Sequence, residues 1–393
     1  MNILFVTREY PPFEVGGVAK HTFYLVKHLR RLGASCRVLS FGDPRYSGEG
    51  VVFVEPSSSI ISRSNRPLLE DVKIPLDIYR LTRAARGLIG EGGFDLVHVE
   101  EPYVGAFVTH GRKITTVHDT SYGELKSILH YSVNIPNMKR ALFYALLGFW
   151  LELVCIASSR LVIAPYRHVK EELVRVYRVG EEMVKVVGNG LEIPESWGVT
   201  AKAEAKGKLG LEEDELLVFT AAQHVARKRL DTLVEAVRLL REEGVEGFHV
   251  VICGDGPLRH EVLGLVGKYG LGDVIHLPGW VSEEQLALYY RAADIFVLAS
   301  EYEAGPISLL EAMASGAAVI SSDIDGFPRL IRDGVDGLLF PVGDPWALSR
   351  SVVRLMEDPG LRLRLSGSAR TIAEGFDWMK VAEETLNLYE GLL

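Results

Sequence analysis

Twice along the chain, short apolar runs of strand length alternate with stretches whose apolar residues recur at helical spacing. The first round starts at Ile3–Thr7. After a Pro/Gly-rich loop, Val18, Thr22, Leu25, Val26, Leu29 and Leu32 recur every three or four positions. Lys20, Lys27, Arg30 and Arg31 take the other face, and Gly33 stands where a C-terminal cap belongs. Strand-like runs follow at Cys36–Phe41, Asp95–Val99, Ile114–His118 and Leu161–Ala164, which closes the first series. The second round places strands at Leu216–Ala221, Phe248–Cys253, Val274–Leu277, Ile295–Ala299, Ala318–Ser321 and Gly337–Phe340. Its clearest helices are Leu230–Glu242 and Pro306–Ser315. Strands that alternate with helices give a parallel sheet covered on both faces. The expected fold class is therefore α/β, with two Rossmann-like doubly wound domains.

The join is expected in Gly188–Gly207, which carries Gly190, Pro194, Ser196 and Gly198 and little periodicity. The expected boundaries are 1–188 and 189–376. Two such halves leave a central cleft, and ligands of doubly wound sheets bind at the carboxyl ends of the strands.

At 393 residues the chain is too long for one ordinary core, and 48% hydrophobic with 24% charged residues excludes a disordered chain. A net charge of −9 argues against a nucleic-acid binder. Residues 1–190 hold 24 Lys and Arg against 19 Asp and Glu, a net of +5, and the remainder holds 19 against 33, a net of −14. Such asymmetry suggests different partners for the two halves. Cys36, Cys155 and Cys253 form no C-x-x-C pair, which fits a reducing, cytoplasmic setting. Residues 1–7 carry no basic segment of the kind that opens a signal peptide. The longest apolar stretch, Ala141–Ala157, is interrupted by Glu152 and reads first as a buried helix. Headed by Lys139 and Arg140, it also permits a peripheral contact with anionic lipid at the inner face of a membrane.

Chemistry is expected in the loops that follow strands. Gly16 and Gly17 precede a helix, where backbone N–H groups and the helix dipole favour an anion. Gly254-Asp255-Gly256-Pro257-Leu258-Arg259 follows a strand, but Arg259 replaces the third glycine of a dinucleotide fingerprint; a turn with a nucleotide contact fits better. Arg227, Lys228 and Arg229 are three successive cations suited to a diphosphate leaving group. Glu303 stands in a loop and Glu311 on the helix that begins at Pro306. A buried Glu311 needs a partner, such as sugar or ribose hydroxyls. His98, His110 and His118 are not spaced as zinc ligands, and no metal is expected. His118, at a strand end, can hydrogen-bond a reacting oxygen. His21, on the polar face of the first helix, is expected at the surface or behind a catalytic group.

With these residues in hand, the chain resembles the retaining glycosyltransferase family 4 (group 1), which has the GT-B fold. Pro11-Pro12 with Gly16-Gly17, His21 and Gly33 is similar to its N-terminal signature. Glu303 and Glu311, the Glu-Ala-Met-Ala at 311–314, the Gly254–Pro257 turn, Ala293-Asp294 and Asp333-Gly334 also match. The resemblance implies transfer of a hexose-type sugar from a nucleoside-diphosphate sugar to a glycan, lipid or small-sugar acceptor, without a metal or further cofactor. It implies Glu311 on the ribose, Glu303 against the transferred sugar, and the backbone of Gly305, Pro306 and Ile307 facing phosphate or sugar. Lys228, supported by Arg227, would bind the diphosphate, approached by Gly17, and His118 would lie near the reacting centre. The closing helix, 377–393, would pack back on the first domain. Gln223 departs from the arginine usual five residues before the lysine, and Arg329 stands where an acidic residue is common. Two other classes fit the architecture: a nucleotide-sugar epimerase and a non-catalytic nucleotide-sugar-binding protein.

Overall fold

The computed structural model describes residues 1–13, 16–57, 73–131, 138, 141–192, 201–303, 305–324 and 330–393. They form two units: Met1–Leu129 and Val133–Gly190 together with Asp377–Leu393, and Leu191–Phe376 together with His130–Ser132. Each is built on one parallel sheet. In the first, β1 (Asn2–Val6), β2 (Ser35–Phe41), β3 (Val51–Val54), β4 (Leu96–Val99), β5 (Lys113–Thr116), β6 (Leu161–Ala164) and β7 (Val184–Val186) run in the order β3-β2-β1-β4-β5-β6-β7. In the second, β8 (Leu216–Ala221), β9 (Phe248–Cys253), β10 (Ile275–Gly279), β11 (Ile295–Leu298), β12 (Ala318–Asp323) and β13 (Leu338–Pro341) run β10-β9-β8-β11-β12-β13. In both, strand order reverses beside the first strand, at β1/β4 and at β8/β11. In doubly wound sheets such switch points are where ligands bind.

Alternation along β1 explains why a parallel sheet forms. Ile3 and Phe5 enter one core with Leu25, Leu29, Trp378 and Tyr389, whereas Leu4 and Val6 enter the other with Ile78, Leu81, Leu151 and Cys155. The second sheet repeats the pattern: Val218 faces Val250, Ile252 and Val297, while Leu217 and Phe219 face Val251, Phe296 and Met313. Strands buried on both faces are largely apolar, which is how β1 and β8 read. The helix Trp378–Glu390 lends Trp378, Val381, Ala382 and Tyr389 to the first unit's core.

The structure departs from the sequence reading in four places. Leu161–Ala164 does not end the first series, because β7 adds an edge beyond it, and β3 adds the other edge. The helix expected from Pro306 begins at Ile307, with Pro306 just outside at the N-cap. The helical stretch over 141–157 is buried on one side only: Leu151, Cys155 and Ile156 are in the core, but Leu142, Leu146 and Trp150 are exposed. His21, expected at the surface or behind a catalytic group, is buried, which excludes only the first of these. Of the expected join, residues 193–200 lie outside the described residues, as do Lys139 and Arg140.

Gly254, after β9, has φ +117, and a Cβ there would lie 2.0 Å from the carbonyl oxygen of Ala222 after β8. Gly254→Ala is therefore expected to cost at least about 3 kcal/mol, by forcing the two loops apart and straining the backbone. Gly264→Ala, on a helix with open space around it, should be neutral or stabilising by about 0.4–1 kcal/mol. Denaturant midpoints at unchanged slope check both, and an unaffected Gly254→Ala midpoint would refute the close approach.

Candidate functional site

At the switch point of the second sheet, the loop after β8 and the loop after β11 are tied together. The N–H of Glu301 donates to Arg227 O at 2.7 Å, and Arg229 Nη1 lies 3.6 Å from Glu301 Oε2. Arg227 and Lys228 sit in a short turn of 3-10 helix (Ala226–Lys228). Arg229 then takes a left-handed conformation (φ 46, ψ 44) before the helix Leu230–Glu242. The break keeps Arg227 and Lys228 out of the helix, where cations in the first turn oppose the dipole; Asp231 occupies that turn instead. Arg229 is held by Asp231, with Nη2–Oδ2 at 3.1 Å.

Glu303 is the focus of this arrangement. It is 3% exposed, and its Oε1 receives Lys228 Nζ at 2.5 Å and Ser300 Oγ at 2.5 Å, while Oε2 receives Arg227 Nη1 at 3.3 Å. Burial pushes the carboxyl up, but Lys228 and Arg227 outweigh it and hold the group below the ordinary carboxylate range. Lys228 and Arg227 are themselves nearly buried, so without a bound anion Glu303 is the charge they share. The residues expected on phosphate and on sugar thus neutralise one another.

Two residues beyond Gly305, the helix Ile307–Ser315 begins, and its first backward hydrogen bonds come from Leu309 and Leu310 to Pro306 O. Its N-terminal end carries the positive pole, which suits an anion. Glu311, in the second turn, is 7% exposed. Burial and the charge of Glu311 raise the Tyr290 hydroxyl well above its ordinary pKa. Tyr290 is therefore close enough to feel the buried carboxylate that was expected to meet ribose. The tight packing of Gly254, together with Gly256 against His224, accounts for both glycines without a ligand. Gln223 is half-buried in the Lys228 loop. Arg329 lies outside the described residues.

In the first unit, the ends of β1, β4 and β5 gather Glu9, Glu100 and His118. Glu100 is fully buried and accepts from His118 Nε2 at 3.0 Å. His21 Nε2 lies 3.7 Å and His98 Nδ1 3.8 Å from its oxygens. His21 Nδ1 bonds Asn189 Oδ1 at 2.9 Å, and its ring meets those of His118 and Trp378 edge-on. His98 is held by Tyr389 OH at 2.5 Å and Thr116 Oγ1 at 2.7 Å. Burial pushes all three imidazoles down to about 4, against the pull of nearby carboxylates, so they are neutral at pH 7.

His110 is not part of this group; His21 takes the place that spacing alone offered to it. His21, Glu100 and His118 bring one ligating atom each within 4.8 Å of one another and are residue types that hold divalent ions. Of the three histidines only His118, at 3.0 Å, is within hydrogen-bond distance of the Glu100 carboxylate; His21 and His98 stand beyond it. With Nε2–H donated to Glu100, His118 keeps Nδ1 as its lone-pair nitrogen.

Gly16 N–H donates to Glu9 Oε2 at 3.0 Å, so the anion at the start of the helix Gly17–Arg31 is the chain's own carboxylate. Arg8 is clamped as well, by Glu9 (2.8 Å) and Glu101 (3.1 Å).

Sequence models of two families match the two halves: Glycosyltransferase Family 4 over residues 15–193 and Glycosyl transferases group 1 over residues 201–372. An uncharacterized glycosyltransferase of Methanocaldococcus jannaschii is 27% identical over 99% of this chain and 98% of its own length. The D-inositol 3-phosphate glycosyltransferase of Streptomyces bingchenggensis is 34% identical, but the match covers 59% of this chain and 53% of that protein. Among solved structures, sucrose-phosphate synthase from Thermosynechococcus elongatus superposes with a TM-score of 0.81 at 21% identity, over 100% of this chain and 98% of that one. That likeness concerns the fold.

Proposed function

This chain belongs to the group 1 glycosyl transferases, and from that premise we propose that it transfers a hexose-type sugar from a nucleoside diphosphate to an acceptor hydroxyl, with retention of configuration. The observation that carries the reading is the Glu303–Lys228–Arg227 constellation at the second switch point. Two nearly buried cations on the loop after β8, facing Glu303 on the loop after β11, form a preorganised place for a diphosphate, whose charge grows as the bond to the sugar breaks. A diphosphate arriving there replaces Glu303 as their counter-charge and leaves that carboxylate free to accept from sugar hydroxyls. Stabilisation by Lys228 and Arg227 does the work for which other transferases use a divalent ion. Glu311, with Tyr290 behind it, is assigned to the ribose, and the N–H groups at Ile307 to phosphate or sugar.

On the acceptor side, His118 is assigned to orient the attacking hydroxyl. Held near a pKa of about 4, it is a poor proton carrier and acts as a hydrogen-bond acceptor through Nδ1. In the step itself the bond from C1 to the phosphate oxygen breaks, the acceptor oxygen bonds C1 on the same face, and the acceptor proton passes to the departing phosphate.

The test is a thermal-shift panel of UDP, GDP, ADP, dTDP and CMP with their sugars, NAD serving as control. At 100 times its dissociation constant, a ligand adds about 2.7 kcal/mol to the native state. One nucleotide series should raise Tm, and Lys228→Ala should weaken its binding about tenfold or more by removing a charge-assisted contact. Product analysis should then find the sugar on an acceptor, with its anomeric configuration kept. Unchanged affinity in Lys228→Ala would move the phosphate site elsewhere.

A further inference from the structure

The described residues include no helix long and apolar enough to cross a membrane, yet the first unit carries a row of large apolar side chains in solvent. Leu142, Leu146 and Trp150 are 60%, 70% and 50% exposed. Four residues apart, they fall on one side of the helical stretch over 141–157. The stretch is anchored from its other side: Glu152 is buried, accepts the Ser121 N–H at 3.0 Å and takes the Tyr177 hydroxyl at 2.5 Å. The exposed row therefore belongs to a fixed helix with a polar tether and an apolar core beneath it.

The row continues onto a basic helix. The Trp150 ring lies 5.9 Å from that of Phe107, itself 38% exposed, and Arg86 donates to Phe107 O at 3.4 Å. Arg86 lies on Ile74–Gly90, where Arg80 and Arg83 are also exposed, together with Leu76 and Tyr79. The acids within these two helical stretches, Asp77 and Glu152, are both buried. Protruding leucines, a tryptophan and a tyrosine beside three arginines, with no exposed acid on either helix, match an interface with lipid headgroups.

We propose that this face of the first unit docks on an anionic lipid bilayer, with Leu142, Leu146 and Trp150 entering the acyl boundary and Arg80, Arg83 and Arg86 meeting the headgroups. The inference stands apart from the glycosyl-transfer reading, because its test reads no turnover.

The test is flotation of the full chain with vesicles of phosphatidylcholine alone, and with vesicles of equal parts phosphatidylcholine and phosphatidylglycerol. The protein should float with the second and not with the first, and added salt should release it. Leu146→Glu, at the most exposed position of the row, and the double variant Arg83→Glu/Arg86→Glu should each reduce the bound fraction about tenfold or more. Both should keep wild-type Tm, which separates lost docking from lost folding. Absence of flotation, equal flotation with both vesicles, or full binding by Leu146→Glu would each overturn the proposal. So would a concentration-dependent increase in mass by light scattering that Leu146→Glu abolishes while flotation persists, since the row would then serve a second copy of the chain.

Discussion

Glu303→Gln is expected to lower turnover about 10³-fold or more, as removal of a charged group from a transition-state site does. Gln keeps the shape of the side chain but not its charge. Lys228 at 2.5 Å and Arg227 at 3.3 Å then lose the counter-charge that their burial requires. Breaking such a pair costs roughly 3–5 kcal/mol, so the variant should fold less stably. The two losses can be told apart with nucleotide. A diphosphate supplies the missing charge to the same two cations, so saturating nucleoside diphosphate should narrow the gap in Tm while turnover stays lost. The pH dependence follows from the same pair. Glu303 is held below its ordinary value of 4.5, so its contribution to stability is complete above that value and is lost as pH falls through the lower folded value. The wild type should show this acid limb and Glu303→Gln should not. Near-normal turnover in the variant would sink the assigned role. A gap in Tm that no nucleotide narrows would detach Lys228 and Arg227 from the diphosphate.

The central strands were legible because strands buried on both faces are largely apolar, as Ile295–Leu298 is throughout and Leu96–Val99 is apart from His98. The edges were not. β3 has four residues and β7 has three, with Lys185 and Val186 exposed, and neither carries enough pattern to stand out from a loop. At the site, residue types were legible and pairings were not. Lys228 and Glu303 are 75 residues apart, and only the adjacency of β8 and β11 brings them together. His21 shares its helix with lysines, and its burial comes from Trp378 near the far end of the chain, which no local periodicity reports. Glu100 gave no signal beyond its place after a strand; a carboxylate there stands out only once three histidines surround it. The stretch over 141–157 failed for a different reason. Both of its sides are apolar, so the pattern cannot say which one faces the core.

Glu100→Gln is expected to reduce turnover roughly 10²-fold with donor affinity unchanged, because a carboxylate that fixes a histidine tautomer acts through that histidine. In the wild type Glu100 can only accept, so His118 must present Nε2–H to it, at 3.0 Å, and keep Nδ1 as the lone-pair nitrogen. A glutamine at the same place can turn its NH₂ to Nε2. The imidazole proton then moves to Nδ1, the nitrogen assigned to receive the acceptor hydroxyl, and the site offers a donor where it needs an acceptor. His118→Ala should cost about as much, and the double variant little more, since both remove the same hydrogen bond. A purely structural role for Glu100 predicts instead additive losses and a lowered Tm with turnover per folded molecule intact. The pH profile supplies a second reading. Burial holds His118 near 4, so wild-type turnover should show no acid limb near 6.5, where a free histidine titrates, and should fall only as pH approaches 4. An acid limb near 6.5 that vanishes in His118→Ala would mean that the imidazole is open to water and titrates during turnover. The buried Glu100–His118 pair would then have no part in setting the tautomer.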